Sequence, residues 1–184
     1  MTMLRWGILS SSSFAVEHII PALLQCEHLE LVALSSRDAD TAQQLATKFG
    51  IARAHDSYQE LVDGPEIDVI YNPLPNHLHV PWSIKAMRTG KHVLCEKPLA
   101  MNAAETKEMV AARDETGKLA QEAFVIRHHP QWWRVRELWY ARGASAPLMA
   151  HKADSATAWK TKPIFATSLR WAAAAYSISA FILW

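Results

Sequence analysis

The sequence predicts an α/β fold, a doubly wound parallel sheet of the dinucleotide-binding type. Three observations predict it. Apolar runs of strand length alternate with helical stretches of about 10 to 15 residues between residues 4 and 125. Helical stretches close on Gly50, Gly90 and Gly117, as helices do when the next residue turns left-handed. Residues able to do chemistry fall directly behind apolar runs, where the carboxyl ends of parallel strands gather ligands.

The elements follow in order. "LRWGIL", residues 4–9, is a short apolar run, followed by a small-residue turn and then "FAVEHIIPALLQC", whose apolar spacing is helical. "LELVALS" is the second strand. "DADTAQQLATKFG" is a helix with Asp38 as candidate N-cap and Gly50 as stop. "IDVIYN" is a buried-strand run, and "HVPWSIKAMRTG" is a helix ending at Gly90. "KHVLCE" is a strand. "NAAETKEMVAARDETG" is a helix between Asn102 and Gly117, and "KLAQEAFV" is the last strand of the series. Strands joined through helices of this length make right-handed crossovers and a parallel sheet.

Composition narrows the function classes. The 184 residues suit one domain, or one domain and a fragment, with half the residues apolar. A net charge of +1 gives no argument for a nucleic-acid or membrane surface. Cys26 and Cys95, far apart, suggest a reducing compartment and no disulfide framework. The N-terminal apolar run stops at four serines, too short for a signal peptide, so a cytoplasmic location is expected. No apolar run reaches the roughly 18 residues of a spanning helix.

The first strand runs into "GILSSSSFA". A dinucleotide fold needs small residues there, so that backbone N–H groups can approach a pyrophosphate at a helix N-terminus. The G-x-G-x-x-G/A pattern falls on Ser10, Ser12 and Ala15, with Phe14 just before the last; both glycines are serines. A serine-rich turn with no ligand is the plain alternative. Behind the second strand, "LSSRD" puts Ser36 and Arg37 where a guanidinium fork suits the 2′-phosphate of NADP. A solvated arginine at a helix start is the alternative, and Asp38 in the same turn suits the ribose of NAD.

"PLPNHLH" and "CEKPL" follow the strands "IDVIYN" and "KHVLC". Lys97, turned into a cleft by the adjoining Pro98, can donate to a substrate oxygen and carry its proton during hydride transfer. The alternative is a surface lysine in a turn. Cys95 reads as core rather than nucleophile. His128 and His129 are adjacent, poor spacing for a metal pair, and no metal site is expected.

Taken together, "RWGIL", "PNHLH", "EKP" and "EAFVIRHHPQW" resemble the glucose–fructose oxidoreductase/inositol dehydrogenase (Gfo/Idh/MocA-like) family over residues 4–138. The branch they are most similar to is the NADP-linked sugar and dihydrodiol dehydrogenases. The resemblance implies an N-terminal Rossmann domain, residues 1–125, and a C-terminal open-sheet α+β domain that supplies much of the substrate pocket. It implies Lys97 as the catalytic lysine. Pro73, Asn76, His79, Glu96 and Arg127 would lie on the cofactor side, and His128 near substrate. The substrate would be a sugar, polyol or trans-diol. The serines at 10 and 12 depart from the family's glycines and put cofactor affinity in question.

The chain changes character beyond Leu138. Six of eight tryptophans lie from Trp132 onward, and Asp154 is the only acid after Glu137. Residues 126–138 suit the start of a crossover helix. Residues 139–184 lack the glycine-rich "DIGVY"-type segment that the resemblance implies for the second domain. Read one base out of phase, "WAAAAYSISAFIL" can spell "GGGGLLDIGVYP", and "RGASA" can spell "GRIG". A frame shift near 138–139 is therefore expected, with an out-of-frame tail, a largely missing second domain and no family-type oligomer interface; a genuine alternative tail is the rival account. Three function classes are compatible with this: an oxidoreductase lineage, a dinucleotide-binding remnant that turns over nothing, and a protein-interaction module.

Overall fold

The computed structural model describes residues 3–124 and 130–141. Arg127, His128 and residues 142–184 lie outside the described residues, as do the expected domain boundary at 125/126 and most of the expected out-of-frame tail.

Strand β1 is Leu4–Leu9. The serine turn leads into a π-helical turn, Ala15–Ile19, which continues as α1, Ile20–Leu23. Ile20 N–H reaches back five residues to Ala15 O, and the next residue, Pro21, has no N–H to return the chain to the tighter register at that point. Strand β2 is Leu29–Ser35. Helix α2, Ala39–Phe49, is capped by the Asp38 carboxylate on Thr41 N–H and stopped by Gly50 at φ 68°.

Arg53–His55 forms β3 and Tyr58–Asp63 forms α3, with Ser57 as its N-cap. Neither has an apolar run long enough to announce itself in sequence. The series continues with β4 (Val69–Asn72), α4 (Asn76–Arg88), β5 (His92–Cys95), α5 (Ala103–Thr116) and β6 (Ala120–Glu122). Helix α6 is Pro130–Ala141. Helix α4 starts three residues earlier than the apolar pattern suggests, directly behind Pro75. Strand β6 ends at Glu122, three residues short of the expected end.

All six strands are parallel, in the order β3-β2-β1-β4-β5-β6. Chain order reverses between β1 and β4, the point at which open α/β sheets form a ligand crevice. Alternation along the strands sends residues to two cores. Trp6, Ile8, Leu31 and Tyr71 pack with Ile20, Ala42 and Ala46 on one face. Leu9, Val32, Ile70 and Val93 pack with Leu61, Met87 and Met109 on the other. Each such large apolar side chain contributes about 1.5–3 kcal/mol on burial. A Cβ at Gly7 would meet Ile67 Cδ1 at 2.9 Å and Leu61 Cδ2 at 3.2 Å, so a larger residue there would push the side chains of the second layer off β1. Among the described residues no helix is long and apolar enough to cross a membrane.

Candidate active site

The carboxyl ends of β1, β4 and β5 bring together the serine turn, the loop 73–75 and the segment 96–98. Adjacent strands lie about 4.8 Å apart, so the turn behind β1 and the segment behind β5 are separated by roughly 10 Å across the sheet.

The turn is built by hydroxyls. Ser10 has φ 83°, the one positive φ at a non-glycine position among the described residues. Its Oγ accepts the Ser12 N–H at 3.1 Å, and Ser12 Oγ accepts the Ala15 N–H at 3.3 Å. Two of the donors that a phosphate would use at this helix start are thus met by the turn's own side chains. Ala15 is fully buried, which explains the need for a small residue there. Ser11 Oγ lies 3.2 Å from Ser36 Oγ and ties the turn to the end of β2. Ser36 is buried and also accepts the Asp38 N–H. Arg37 is exposed. The Asp38 carboxylate caps α2 through Thr41 N–H at 2.7 Å, and hydrogen bonding from the Thr41 side chain first, then from its backbone, holds the Asp38 pKa below the usual carboxylate range.

The loops behind β4 and β5 are built by buried polar groups. Asn72, wholly buried, donates from its side-chain amide to His79 O and to Ser83 Oγ, both at 3.0 Å, and accepts the Leu74 N–H at 3.2 Å. Its backbone carbonyl accepts the Glu96 N–H at 3.0 Å. Tyr71, also wholly buried, donates its hydroxyl to Glu96 Oε1 at 2.8 Å. Burial, aided by the charge of Glu96, pushes the Tyr71 phenol up, so it stays a donor. Glu122 at the end of β6 accepts the Leu99 N–H at 2.9 Å. Lys97 is exposed while the backbone before and after it is fixed by these contacts. Burial pushes the Cys95 thiol up to about 12, which makes it core and not a nucleophile, in line with the sequence reading.

Two sequence expectations need correction on placement. His79 is 1% exposed, and both ring nitrogens face backbone carbonyl oxygens, Pro98 O at 2.7 Å and Leu74 O at 2.6 Å. Its side chain is enclosed between these two loops and is not exposed. Pro73 is likewise buried. Asn76 is exposed at the first turn of α4, and Phe14 is half-buried beside the serine turn.

The sequence of residues 4–124 matches the Gfo/Idh/MocA family, described as an oxidoreductase family with an NAD-binding Rossmann fold. The chain belongs to this family. It is 52% identical over 138 residues to the oxidoreductase ORF334 of Rhizobium meliloti, covering 75% of this chain and 41% of that protein. It is 40% identical over 135 residues to an NADP(+) D-xylose 1-dehydrogenase of Haloferax volcanii, covering 73% of this chain and 41% of the relative. It is 38% identical over 153 residues to the mouse trans-1,2-dihydrobenzene-1,2-diol dehydrogenase, covering 82% of this chain and 45% of the relative. The fold superposes on KijD10, a 3-ketoreductase of Actinomadura kijaniata crystallised with TDP-benzene and NADP, with TM-score 0.73 and 33% identity. That match covers 76% of this chain and 44% of KijD10. The Gfo/Idh/MocA chain therefore spans less than half the length of the relatives it matches.

Sequence reasoning missed Tyr71, Asn72, Ser83 and Glu122. A trace of the first two was visible: "IDVIYN" ends an otherwise apolar buried run with two polar residues. Nothing local marks Ser83 or Glu122, because their partners lie 11 and 23 residues away in sequence.

Proposed function

We propose that residues 4–124 are the NADP(H)-binding half of an oxidoreductase acting on a sugar, polyol or trans-diol, with Lys97 as proton donor and acceptor. The observation that carries this reading is the fixing of the backbone around Lys97, at Glu96 N, Pro98 O and Leu99 N, beside the switch point of the sheet. A backbone so held fixes where the Lys97 side chain starts, which supports placing its amine at a substrate oxygen for proton transfer.

The turn fits the pyrophosphate only in part. Its residues are small and its N–H groups stand at a helix start, but Ser10 and Ser12 already occupy two of them. Ser10, Ser12, Phe14 and Ala15 would hold the pyrophosphate side, and Ser36 and Arg37 the adenosine 2′-phosphate. Asp38 is committed as an N-cap, which favours NADP over NAD. Asn76 and Glu96 would face the nicotinamide side, with Arg127 and His128 expected nearby. NADPH supplies the hydride when bound.

Residues 139–184 lack the glycine-rich "DIGVY"-type segment, and we propose that the 184 residues bind dinucleotide without turnover. Two measurements test this reading. Calorimetric titration of the full chain with NADPH is expected to show binding. A turnover assay with NADPH across aldoses, ketoses and diols is expected to show none. Turnover that Lys97→Ala abolishes would overturn the non-catalytic part, and absence of any dinucleotide binding would revive the interaction module. Coding DNA that cannot spell the out-of-phase strings would remove the frame-shift account.

A further inference from the structure

We infer that His79 is a positioning residue, a buried two-armed clamp that sets the Lys97 segment against the β4–α4 loop. Its side chain is almost wholly enclosed on the first turns of α4. Nδ1 meets Pro98 O at 2.7 Å, one residue past Lys97, and Nε2 meets Leu74 O at 2.6 Å, in the loop that leads to Asn76. A carbonyl oxygen only accepts, so a neutral imidazole donates its single N–H to one of the two and meets the other through close contact, while hydrogen bonds to both would take both ring protons. The two loops come from neighbouring strands and share no direct backbone ladder beyond Asn72–Cys95 and Glu96 N–H on Asn72 O. Past that point the imidazole spans the gap.

The clamp is itself held. The His79 backbone carbonyl accepts the Asn72 amide, whose side-chain oxygen takes the Leu74 N–H. Moving the imidazole therefore shifts both loops, while moving either loop strands a ring nitrogen in the interior, where an unpaired polar group is costly. The consequence for function rests on the dinucleotide reading: His79 touches neither cofactor nor substrate, yet it sets where Lys97 and Asn76 stand.

The test separates the two arms. Asn places its amide nitrogen near the position of Nδ1, and Gln places it near Nε2. Amide hydrogen exchange on the full chain reads Leu99 N–H for the Lys97 segment and Leu74 N–H for the other loop. His79→Ala is expected to speed exchange at both by about tenfold or more, an opening that is sub-global rather than whole-molecule. His79→Asn is expected to speed Leu74 and spare Leu99, and His79→Gln the reverse. Val80→Ala, a neighbouring core truncation, is the control; it is expected to lower Tm while leaving the two amides in step with the rest of the sheet. NADPH affinity is expected to fall about tenfold in His79→Ala and less than threefold in Val80→Ala at matched loss of stability.

If His79→Ala exchanges as Val80→Ala does, the clamp is refuted and His79 is only core. If Asn and Gln loosen the same loop, the two-armed assignment is refuted. If the unaltered chain binds no NADPH, the dinucleotide reading fails, while the exchange pattern still decides the clamp.

Discussion

The serine turn behind β1 and the loops behind β4 and β5 occupy the same edge of the sheet, yet they are held in opposite ways. The loops are fixed by side chains that reach across neighbouring strands: the buried Asn72 and His79 with more than one partner each, Tyr71 on Glu96, and the half-buried Glu122 on Leu99 N–H. The turn is fixed by short-range hydroxyl contacts and carries a serine in the left-handed region, where glycine is at ease. One half of the site is over-determined and the other is strained and self-satisfied. The loops behind β4 and β5 therefore tolerate little change, whereas the serine turn is open to improvement by substitution.

The largest expected effect comes from breaking the rigid half. Asn72→Leu removes three side-chain hydrogen bonds and leaves His79 O and the Leu74 N–H without their partner. It is expected to cost about 3 kcal/mol by urea denaturation. A loss below about 1 kcal/mol, typical of an ordinary surface change, would mean that the loops do not depend on this network.

Arg37→Ala probes the open half. It is expected to weaken NADPH by about tenfold, the scale of one charge-assisted contact, and NADH by little. Equal losses would mark Arg37 as a solvated helix-start arginine. A smaller effect is expected from Ser10→Gly. Relief of the left-handed serine should add about 1 kcal/mol of stability. Freeing the Ser12 N–H should tighten NADPH and NADH by the same factor, since the pyrophosphate is common to both. Tightening of one dinucleotide alone would contradict this.

The smallest effect on binding belongs to the opposite, amino edge of the sheet. Arg5 donates from its backbone N–H, Nε and guanidinium to Asp68 at 2.8–2.9 Å. That partner, by its hydrogen bond first, lowers the Asp68 pKa. A lowered folded-state pKa contributes stability above the unfolded value of about 3.9 and loses it as pH falls through the folded value. Asp68→Asn is therefore expected to lower Tm by a few degrees at neutral pH, with the difference closing below about pH 4. NADPH affinity should not change. A pH-independent deficit would assign the loss to packing and not to the carboxylate charge.

How much of this was legible in sequence follows the same divide. Strands with continuous apolar runs and helices with a cap and a glycine stop, such as α2 and α5, could be read directly, because their signals are local. The edge strand β3 and the six-residue α3 could not, since three half-exposed residues and one turn-and-a-half of helix take their shape from the neighbours they pair with. At the site, Ser10, Ser36, Glu96 and Lys97 were visible by their place behind apolar runs. His79 was visible as a residue of interest but its direction was not; it lies on the same helix face as the buried Ser83, Ala86 and Met87, at spacings of about 3.6 residues, and so points to the interior. Tyr71, Asn72, Ser83 and Glu122 act through partners distant in sequence, so no local pattern could have announced them.

The most direct test of the central claim is calorimetric titration of the full chain with NADPH and with NADH at one ionic strength. The account predicts that NADPH binds with one site and more tightly than NADH, and that Arg37→Ala removes most of that preference. Failure of both dinucleotides to bind, or a preference for NADH that Arg37→Ala leaves unchanged, would contradict it.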